Sequence, residues 1–364
     1  MSGAATHQAS WRQILALAWF AALVLGASLL ILGRDVLLPF ILAVLVWYLI
    51  DALAGGIGKI RLFGAAPPRW LALCASLCAV AVLLFLVVAL ASANIAAVYD
   101  AAPLYKQNIE RLGSRLRAFL GMHRRFDLAA VVREVDFVPW LQSLALGLAD
   151  MAGTALLVAL YVAFLLIEQH SFPAKLQAVF PDPQARRRAS ALLGEVQRRI
   201  EAYIWIKTLM SLLTGLASYA VLLLVGVDYA AFWGLLIFLL NYIPAVGSLI
   251  AILFPALLAL VQFDSLLPGA LALLGCGAVQ FLVGSVLEPR IAGNRLNISP
   301  LVVIVSLALW GAIWGVAGMF LSMPITVMLT IVLAHFPATR PIAALLSSRG
   351  QLDIPDPSQK DGQP

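Results

Sequence analysis

Two apolar runs in this sequence are too long to cross a membrane as straight helices. The first covers residues 229–262 and the second covers residues 299–335. At 1.5 Å per residue they would be about 51 Å and about 55 Å long, whereas the hydrocarbon core of a bilayer is about 30 Å thick. Each run carries helix-breaking residues near its middle. The sequence therefore predicts that both runs are broken helices.

The composition indicates that the rest of the chain also lies in a membrane. Hydrophobic residues make up 63% of the 364 residues and charged residues 12%, whereas a soluble domain carries about 25% charged residues. Lipid offers the backbone no hydrogen-bond partner, so the spanning elements are helices. The other apolar runs lie at about 14–32, 36–53, 70–97, 146–167, 207–226 and 266–287. We predict an all-α integral membrane protein with about six full transmembrane helices and two broken, re-entrant hairpin segments, or seven or eight spans by hydropathy.

The polar stretches divide the chain into five predicted regions. These are three transmembrane helices in 1–97, an extramembrane amphipathic helical domain in 98–145, a transmembrane helix and a basic cytoplasmic loop in 146–206, a transport-type core in 207–340, and a disordered tail in 341–364. The early loop with Lys59, Arg61 and Arg69 is the basic one, so it and both termini are expected in the cytoplasm. The net charge of +6 is interpreted as this excess of inner cations, and we expect no nucleic-acid binding.

The breaks in the two long runs have two possible explanations. The first break is "NYIPAVG" (241–247), with Asn241, Pro244 and Gly247. The second is "WGAIWGVAG" (310–318), and the candidate residues there are Trp314, Gly315 and Gly318, with Pro324 beyond. The breaks could be kinks that serve helix packing only, or tips that line a cavity, where non-helical backbone is tolerated at membrane depth. Paired interrupted segments point to a transporter site, and we favour that interpretation.

The charges between the runs bear on their topology. If each run were one span plus a surface piece, Arg290 and Arg295 would fall outside, whereas two re-entrant hairpins leave them inside, as the positive-inside rule prefers. Glu288 directly follows an apolar run, and Pro289 predicts that the helix ends there. The carboxylate either belongs to an ion or proton path or forms a surface ion pair with one of the arginines.

The stretches "LLNYIPAVGSLIAILFPALLAL" and "VLEPRIAGNRLNISPLVVIVSLALWGAIWGVAGMFLSMPITVML" together resemble the AI-2E transporter family, which is named for export of autoinducer-2. The shared pattern is a polar-Ile-Pro-x-x-Gly segment, then Glu-Pro-x-Ile-x-Gly, then a Pro and a Gly-rich hairpin ending in x-Pro. It adds Gly293 and Pro300 to the candidate pathway. The resemblance covers nearly the whole chain. It implies a bacterial inner-membrane transporter that forms a homo-oligomer, with a pentamer as the expected assembly, and an elevator-like motion of the hairpin region.

The sequence departs from the family pattern at two places. Ala245 and Ser248 stand where relatives often carry an aromatic residue and a proline, and "LNISP" lacks the histidine that is common before the proline. Substrates also differ within the family. The resemblance therefore leaves the solute open, and any role of that histidine does not carry over.

Three functions remain as hypotheses. The chain is a gradient-driven exporter of a small polar solute, a Na⁺(Li⁺)/H⁺ antiporter that uses Glu288, or a non-transporting oligomeric scaffold. No Walker A motif appears, and the four histidines lie far apart without a nucleophile–base pair. We therefore expect no enzyme activity, no cofactor and no metal. The expected partners are the lipid bilayer, a small polar solute, H⁺ or Na⁺, and further copies of the chain.

Overall fold

The computed structural model describes residues 3–58, 67–120, 137–263, 265–292, 297–348 and 350. Within these residues all regular elements are helical, which confirms the predicted all-α class. The helices are α1 (Gly3–Leu32), α2 (Arg34–Ile57), α3 (Arg69–Leu120), α4 (Phe137–Glu168), α5 (Phe172–Val179), α6 (Pro183–Val225), α7 (Ala230–Leu240), α8 (Val246–Phe263), α9 (Leu266–Phe281), the π-helical segment π1 (Leu282–Leu287), α10 (Glu288–Ala292), α11 (Pro300–His335) and α12 (Arg340–Leu346).

The number of candidate membrane spans agrees with the sequence. Six of the described helical segments are long and apolar enough to cross a membrane, or seven if the bent α4–α5 pair counts as one span. That pair is bent by 71° between Gly153–Glu168 and Phe172–Val179. The sequence therefore predicted the fold class and the approximate span count correctly.

Helix α3 extends well beyond its candidate span. It has 52 residues and is about 78 Å long at 1.5 Å per residue, while its apolar span covers only Arg69–Asn94. The helix continues to Leu120 without a break. The predicted extramembrane segment thus starts as a continuation of a transmembrane helix, and its residues 121–136 lie outside the described residues.

Helices α7 and α8 form hairpin 1 (residues 230–263), the first of the two long runs. The Asp228 N–H donates to Gln262 Oε1 at 2.7 Å, and Gln262 Nε2 donates to the Gly226 carbonyl oxygen at 2.9 Å. The end of α8 thus lies next to the turn that precedes α7. The tip lies at residues 241–245, where Ala245 adopts a left-handed φ of 60°.

Helix α11 forms hairpin 2 (residues 300–335), the second long run. Helical geometry is lost at Trp314 and at Gly315, whose φ is 63° and ψ −143°. Ser306 Oγ and Thr326 Oγ1 lie 2.6 Å apart, although a straight helix would separate them by about 30 Å. Both long runs are therefore broken at the predicted positions, and both fold back on themselves.

The two hairpins pack on opposite halves of α6. Hairpin 1 joins α9 and the C-terminal half of α6 in an apolar cluster that includes Leu222, Ile237 and Ala259. Hairpin 2 packs with α2 and the N-terminal half of α6 around Ile200 and Leu321. Helix α6 therefore connects the two hairpins.

The predicted disordered tail begins too early. Residues 340–346 form α12, in which Ala343 is fully buried. The Ser299 N–H donates to the Leu346 carbonyl oxygen at 3.0 Å, and Ile298 and Ser347 form an isolated β-bridge. The apolar "PIAALL" segment therefore packs against the base of hairpin 2. Residues 351–364 lie outside the described residues.

Candidate functional site

A polar cavity of about 560 Å³ lies between the tip of hairpin 1, helix α6 and the α9–π1 segment. Its lining combines a charged pair, amides and hydroxyls with an apolar wall. The lining residues are Lys207, Asn241, Ile243, Pro244, Ala245, Ser248, Leu249, Ile252, Gly277, Gln280, Phe281, Gly284, Ser285 and Glu288. Three of the predicted pathway residues, Asn241, Pro244 and Glu288, thus meet at one site.

Asn241 is the C-cap residue of α7 and is only 5% exposed. Its Nδ2 donates to Ser211 Oγ on α6 at 3.1 Å, and its Oδ1 accepts from Gln280 Nε2 on α9 at 3.1 Å. A buried amide must be hydrogen-bonded, and both ends of this one are. Asn241 therefore ties the tip of hairpin 1 to the helices on both sides of it.

Lys207 and Glu288 form an ion pair at the cavity wall. Lys207 Nζ lies 2.9 Å from Glu288 Oε1 and 3.2 Å from Oε2. The lysine side chain is 11% exposed and the glutamate side chain 27% exposed. Two charges removed from water stabilise each other only while they remain paired. The positive and negative charges of this pair therefore cancel at the cavity wall as long as the two side chains stay paired.

The backbone before Glu288 is a π-helical segment. In π1 the Glu288 N–H donates to the Val283 carbonyl oxygen five residues earlier. Such a segment inserts an extra residue in the turn and re-aims the side chains that follow it. The helix then continues through α10 to Ala292, a few residues beyond Glu288, near which it was predicted to end. Pro289 is the second residue of α10, and because it has no N–H it cannot donate to a carbonyl oxygen of the preceding turn.

The pathway residues after Glu288 are less closely placed. Pro289 and Arg290 are exposed, and neither lines the polar cavity. The lysine on α6 is the described ion-pair partner of Glu288, whereas the surface-pair alternative had named Arg290 or Arg295, of which Arg295 lies outside the described residues. Gly293 lies outside the described residues. Pro300 is the first residue of α11, at the base of hairpin 2.

Gly247 allows the two arms of hairpin 1 to approach each other closely near the tip. It is buried, and a Cβ added there would overlap the Leu240 carbonyl oxygen on the other arm of hairpin 1. Only glycine allows this approach of the two arms. Gly247 therefore shapes the tip without touching the cavity.

The tip of hairpin 2 lies in a different environment. Trp314 is buried against Leu45 and Leu321, and its Nε1 donates to the Leu30 carbonyl oxygen of α1 at 3.0 Å. A Cβ at Gly318 would overlap the Trp310 carbonyl oxygen. Trp314, Gly315 and Gly318 all lie away from the polar cavity. The expectation that the two tips share one site is therefore not met.

The hairpins do meet through Tyr242, the neighbour of Asn241. Its ring stacks on Phe320 of hairpin 2 with centroids 4.9 Å apart, and its hydroxyl lies 2.6 Å from Thr208 Oγ1. Tyr242 and Phe320, together with the predicted pathway residue Pro324, line a second, largely apolar cavity of about 230 Å³. Adjacent residues of one tip thus face two different cavities.

Sequence reasoning missed Lys207, Ser211 and Gln280. Lys207 stands at the start of an apolar run, where a lysine is usually a boundary residue whose ammonium reaches the membrane surface. One available signal was that the run 207–226 has a single cation and the run 266–287 is directly followed by a single carboxylate. Intramembrane charges tend to pair, and this rule would have matched them.

These features define a polytopic α-helical membrane protein with a polar site held between a broken helix and its neighbours. The AI-2E family transporter model matches residues 15–338. The chain therefore belongs to the AI-2E transporter family, as its sequence motifs predicted.

Several bacterial relatives agree with this assignment. The AI-2 transport protein TqsA of Escherichia coli (strain K12) is 31% identical over 86% of this chain and 90% of its own length. A putative transport protein of Haemophilus influenzae is 29% identical over 86% of this chain and 91% of its own. The putative transport protein YhhT of Escherichia coli (strain K12) is 36% identical over 52% of this chain and 53% of its own. The chain is accordingly a multi-pass membrane transporter.

Proposed function

We propose that the chain is a gradient-driven exporter of a small polar solute, with the polar cavity as its binding site. The observation that carries this proposal is the Lys207–Glu288 pair beside the Asn241 tip. A charged pair and a broken helix are costly in lipid, and their coincidence at one cavity supports a transport role. The relative TqsA is named as an AI-2 transport protein, which makes autoinducer-2 the first solute to test.

The geometry also supports opposite entry of the two hairpins from the two membrane faces. The base of hairpin 1 adjoins the C-terminal end of α6, and its tip meets Ser211, about 21 Å back along that helix. Hairpin 1 therefore extends along much of the C-terminal half of α6. We propose that hairpin 1 enters from the periplasmic side of a bacterial inner membrane and hairpin 2 from the cytoplasmic side. Both termini would then lie in the cytoplasm. Cysteine labelling at residues 265 and 293 tests this: both residues on one side would contradict it.

The proposal is tested by solute movement in everted membrane vesicles. Asn241→Leu removes the amide that links the tip to Ser211 and Gln280, and we expect the rate of autoinducer-2 accumulation to fall at least tenfold. Asn94→Leu is the matched control, because among the described residues the Asn94 amide bonds only the Leu90 carbonyl oxygen of its own helix. Equal rates for Asn241→Leu and the parent would contradict the proposed site.

A second candidate function is Na⁺(Li⁺)/H⁺ antiport. It is favoured by the carboxylate of Glu288 at the cavity wall, which a proton and a cation could occupy in turn once Lys207 moves away. Glu288→Gln should then abolish proton movement driven by a Na⁺ or Li⁺ pulse in everted vesicles. Unchanged antiport in that variant would exclude this role. A chain that moves neither solute nor ions would fit the scaffold hypothesis.

Assembly as a homo-oligomer, with five copies as the expected number, is the remaining part of the proposal. Large apolar side chains of α1 and α3 are exposed in the single chain, among them Trp19, Phe20 and Phe85. Lipid or a second copy would cover them. The mass of the protein in lipid nanodiscs measures the number of copies directly, and a monomer would contradict this part.

A further inference from the structure

The extension of α3 beyond its membrane span contacts the base of hairpin 1. Tyr105 and Asn108 lie on this extension, about 17 Å and about 21 Å past the end of the span at Asn94. Both are buried, at 8% and 4% exposure. Polar side chains on a helix that has left the membrane are normally solvated, so their burial calls for a partner.

Asn108 binds the end of hairpin 1 through the backbone. Its Nδ2 lies 2.8 Å from the Val261 carbonyl oxygen and 3.2 Å from the Gln262 carbonyl oxygen. Both carbonyls belong to the last turn of α8, which ends at Phe263. The last carbonyls of a helix have no partner within the helix. Asn108 thus caps α8 from a different helix.

Tyr105 binds the other arm of the same hairpin. Its hydroxyl donates to Asp228 Oδ2 at 2.8 Å, in the turn that leads into α7. Burial, followed by the hydrogen bonds with Tyr229 and Asp228, raises the pKa of the Tyr105 phenol. The hydroxyl therefore keeps its proton and remains a donor to the carboxylate.

Gln262 completes the network. It accepts from the Asp228 N–H and donates to the Gly226 carbonyl oxygen. Asn108, Gln262, Asp228 and Tyr105 thus form a continuous set of contacts that joins both arms of hairpin 1 to α3. We call these four residues the base clamp.

We propose that Tyr105 and Asn108 are positioning residues of the transport site, and that the base clamp holds the tip of hairpin 1 in its place beside the polar cavity. The tip is only eleven residues of α7 away from the base, about 16 Å along the helix. A helix of that length transmits a tilt of its base directly to Asn241. The extramembrane part of α3 would thereby set the access to the cavity. The consequence for transport, although not the clamp itself, rests on the proposed function.

The test measures how readily a thiol in the cavity reacts. Cys74, Cys78 and Cys276 are first replaced by alanine, and a single cysteine is then placed at Ser248 on hairpin 1 or at Ser285 on the opposite wall. A membrane-impermeant methanethiosulfonate reagent is applied to everted vesicles. We expect Tyr105→Phe and Asn108→Leu to change the labelling rate at residue 248 by roughly fivefold, the population change that one net hydrogen bond produces. The rate at residue 285 should stay unchanged.

One variant serves as the control. Asn94→Leu replaces the same side chain on the same helix outside the base clamp and should leave both labelling rates at the parental value. Asp228→Asn replaces the charged acceptor of the Tyr105 hydroxyl with a neutral amide, so we expect a smaller change at residue 248 than Tyr105→Phe gives. Tyr105→Phe removes one hydroxyl only, which keeps the test valid if Asn108→Leu fails to fold.

The outcomes separate this inference from the proposed function. Unchanged labelling at residue 248 in Tyr105→Phe overturns the base clamp as a positioning device, whatever the transport rate. Equal changes at residues 248 and 285 also overturn it, because they indicate general loosening. A selective change at residue 248 supports the base clamp even if no tested solute is moved.

Discussion

Hairpin 1 and hairpin 2 share a design and differ in their surroundings. In both, two helical arms meet at a tip with one left-handed residue, Ala245 in the first and Gly315 in the second. The first tip ends among amides and an ion pair, whereas the second is packed into an apolar cluster and hydrogen-bonded to α1. A broken membrane helix therefore does not by itself mark a transport site. The two breaks differ in the polar side chains around them, and those side chains are what the proposed transport site at hairpin 1 rests on.

The largest expected effect concerns what the hairpins share. Gly247→Ala and Gly318→Ala each place a Cβ against a carbonyl oxygen of the opposite arm, and backbone cannot move aside as a side chain can. We expect each to lower the free energy of unfolding by about 3 kcal/mol or more. Chemical denaturation in micelles measures this. If alanine at either position left the free energy of unfolding unchanged, the close approach of the two arms would not be a shared requirement of both hairpins.

The next effect belongs to hairpin 1 and its cavity alone. Lys207→Met leaves Glu288 without its partner and should cost about 3 kcal/mol, the lower end for buried pairs because the glutamate is partly exposed. The double variant Lys207→Met, Glu288→Met removes both charges and should regain most of the stability while solute movement stays absent. Transport by the double variant would remove the pair from the proposed mechanism.

A third pair of changes compares the two left-handed residues. Gly315→Ala should cost about 1–3 kcal/mol, because its φ and ψ lie in a region that essentially only glycine adopts. Ala245→Gly relieves a strained alanine but loosens the unfolded chain, so the two contributions nearly cancel and the net change should stay within about 0.5 kcal/mol. The melting temperatures of the two variants, measured under the same conditions, test whether the tip residue of hairpin 2 is the more strictly constrained of the two.

The smallest effect tests the structural role of hairpin 2. Trp314→Phe removes the hydrogen bond to the Leu30 carbonyl oxygen and should cost about 1 kcal/mol. The rate of solute movement should remain parental, because the indole lies away from the polar cavity. A transport defect without a stability defect would mean that hairpin 2 contributes directly to the site.

The positions of the breaks were predictable because they follow from chain length and helix-breaking residues. A straight helix cannot shorten, so 34 apolar residues between Tyr229 and Gln262 had to bend, and Asn241 and Pro244 showed where. The side chains that contact these breaks could not be predicted in the same way. Periodicity does not reveal which of several equally apolar helices lies opposite a given residue.

The site residues illustrate this limit. Asn241 and Glu288 stand out in sequence because they are polar at the edge of apolar runs, whereas Ser211 and Gln280 become significant only through their contact with Asn241. The π-helical segment before Glu288 has no recognisable sequence pattern either. The helix therefore runs on to Ala292, a few residues past the proline near which it was predicted to end.

The Tyr242–Phe320 stack has a consequence for how well the protein insulates the membrane. Within the described residues, the polar cavity and the apolar cavity are adjacent, and the tip that separates them carries Asn241 on one side and Tyr242 on the other. On the side of the apolar cavity, the Tyr242 ring is held by its stack on Phe320 and by the contact of its hydroxyl with Thr208 Oγ1. We expect resistance to ion leakage at this point to depend on the two rings remaining in contact.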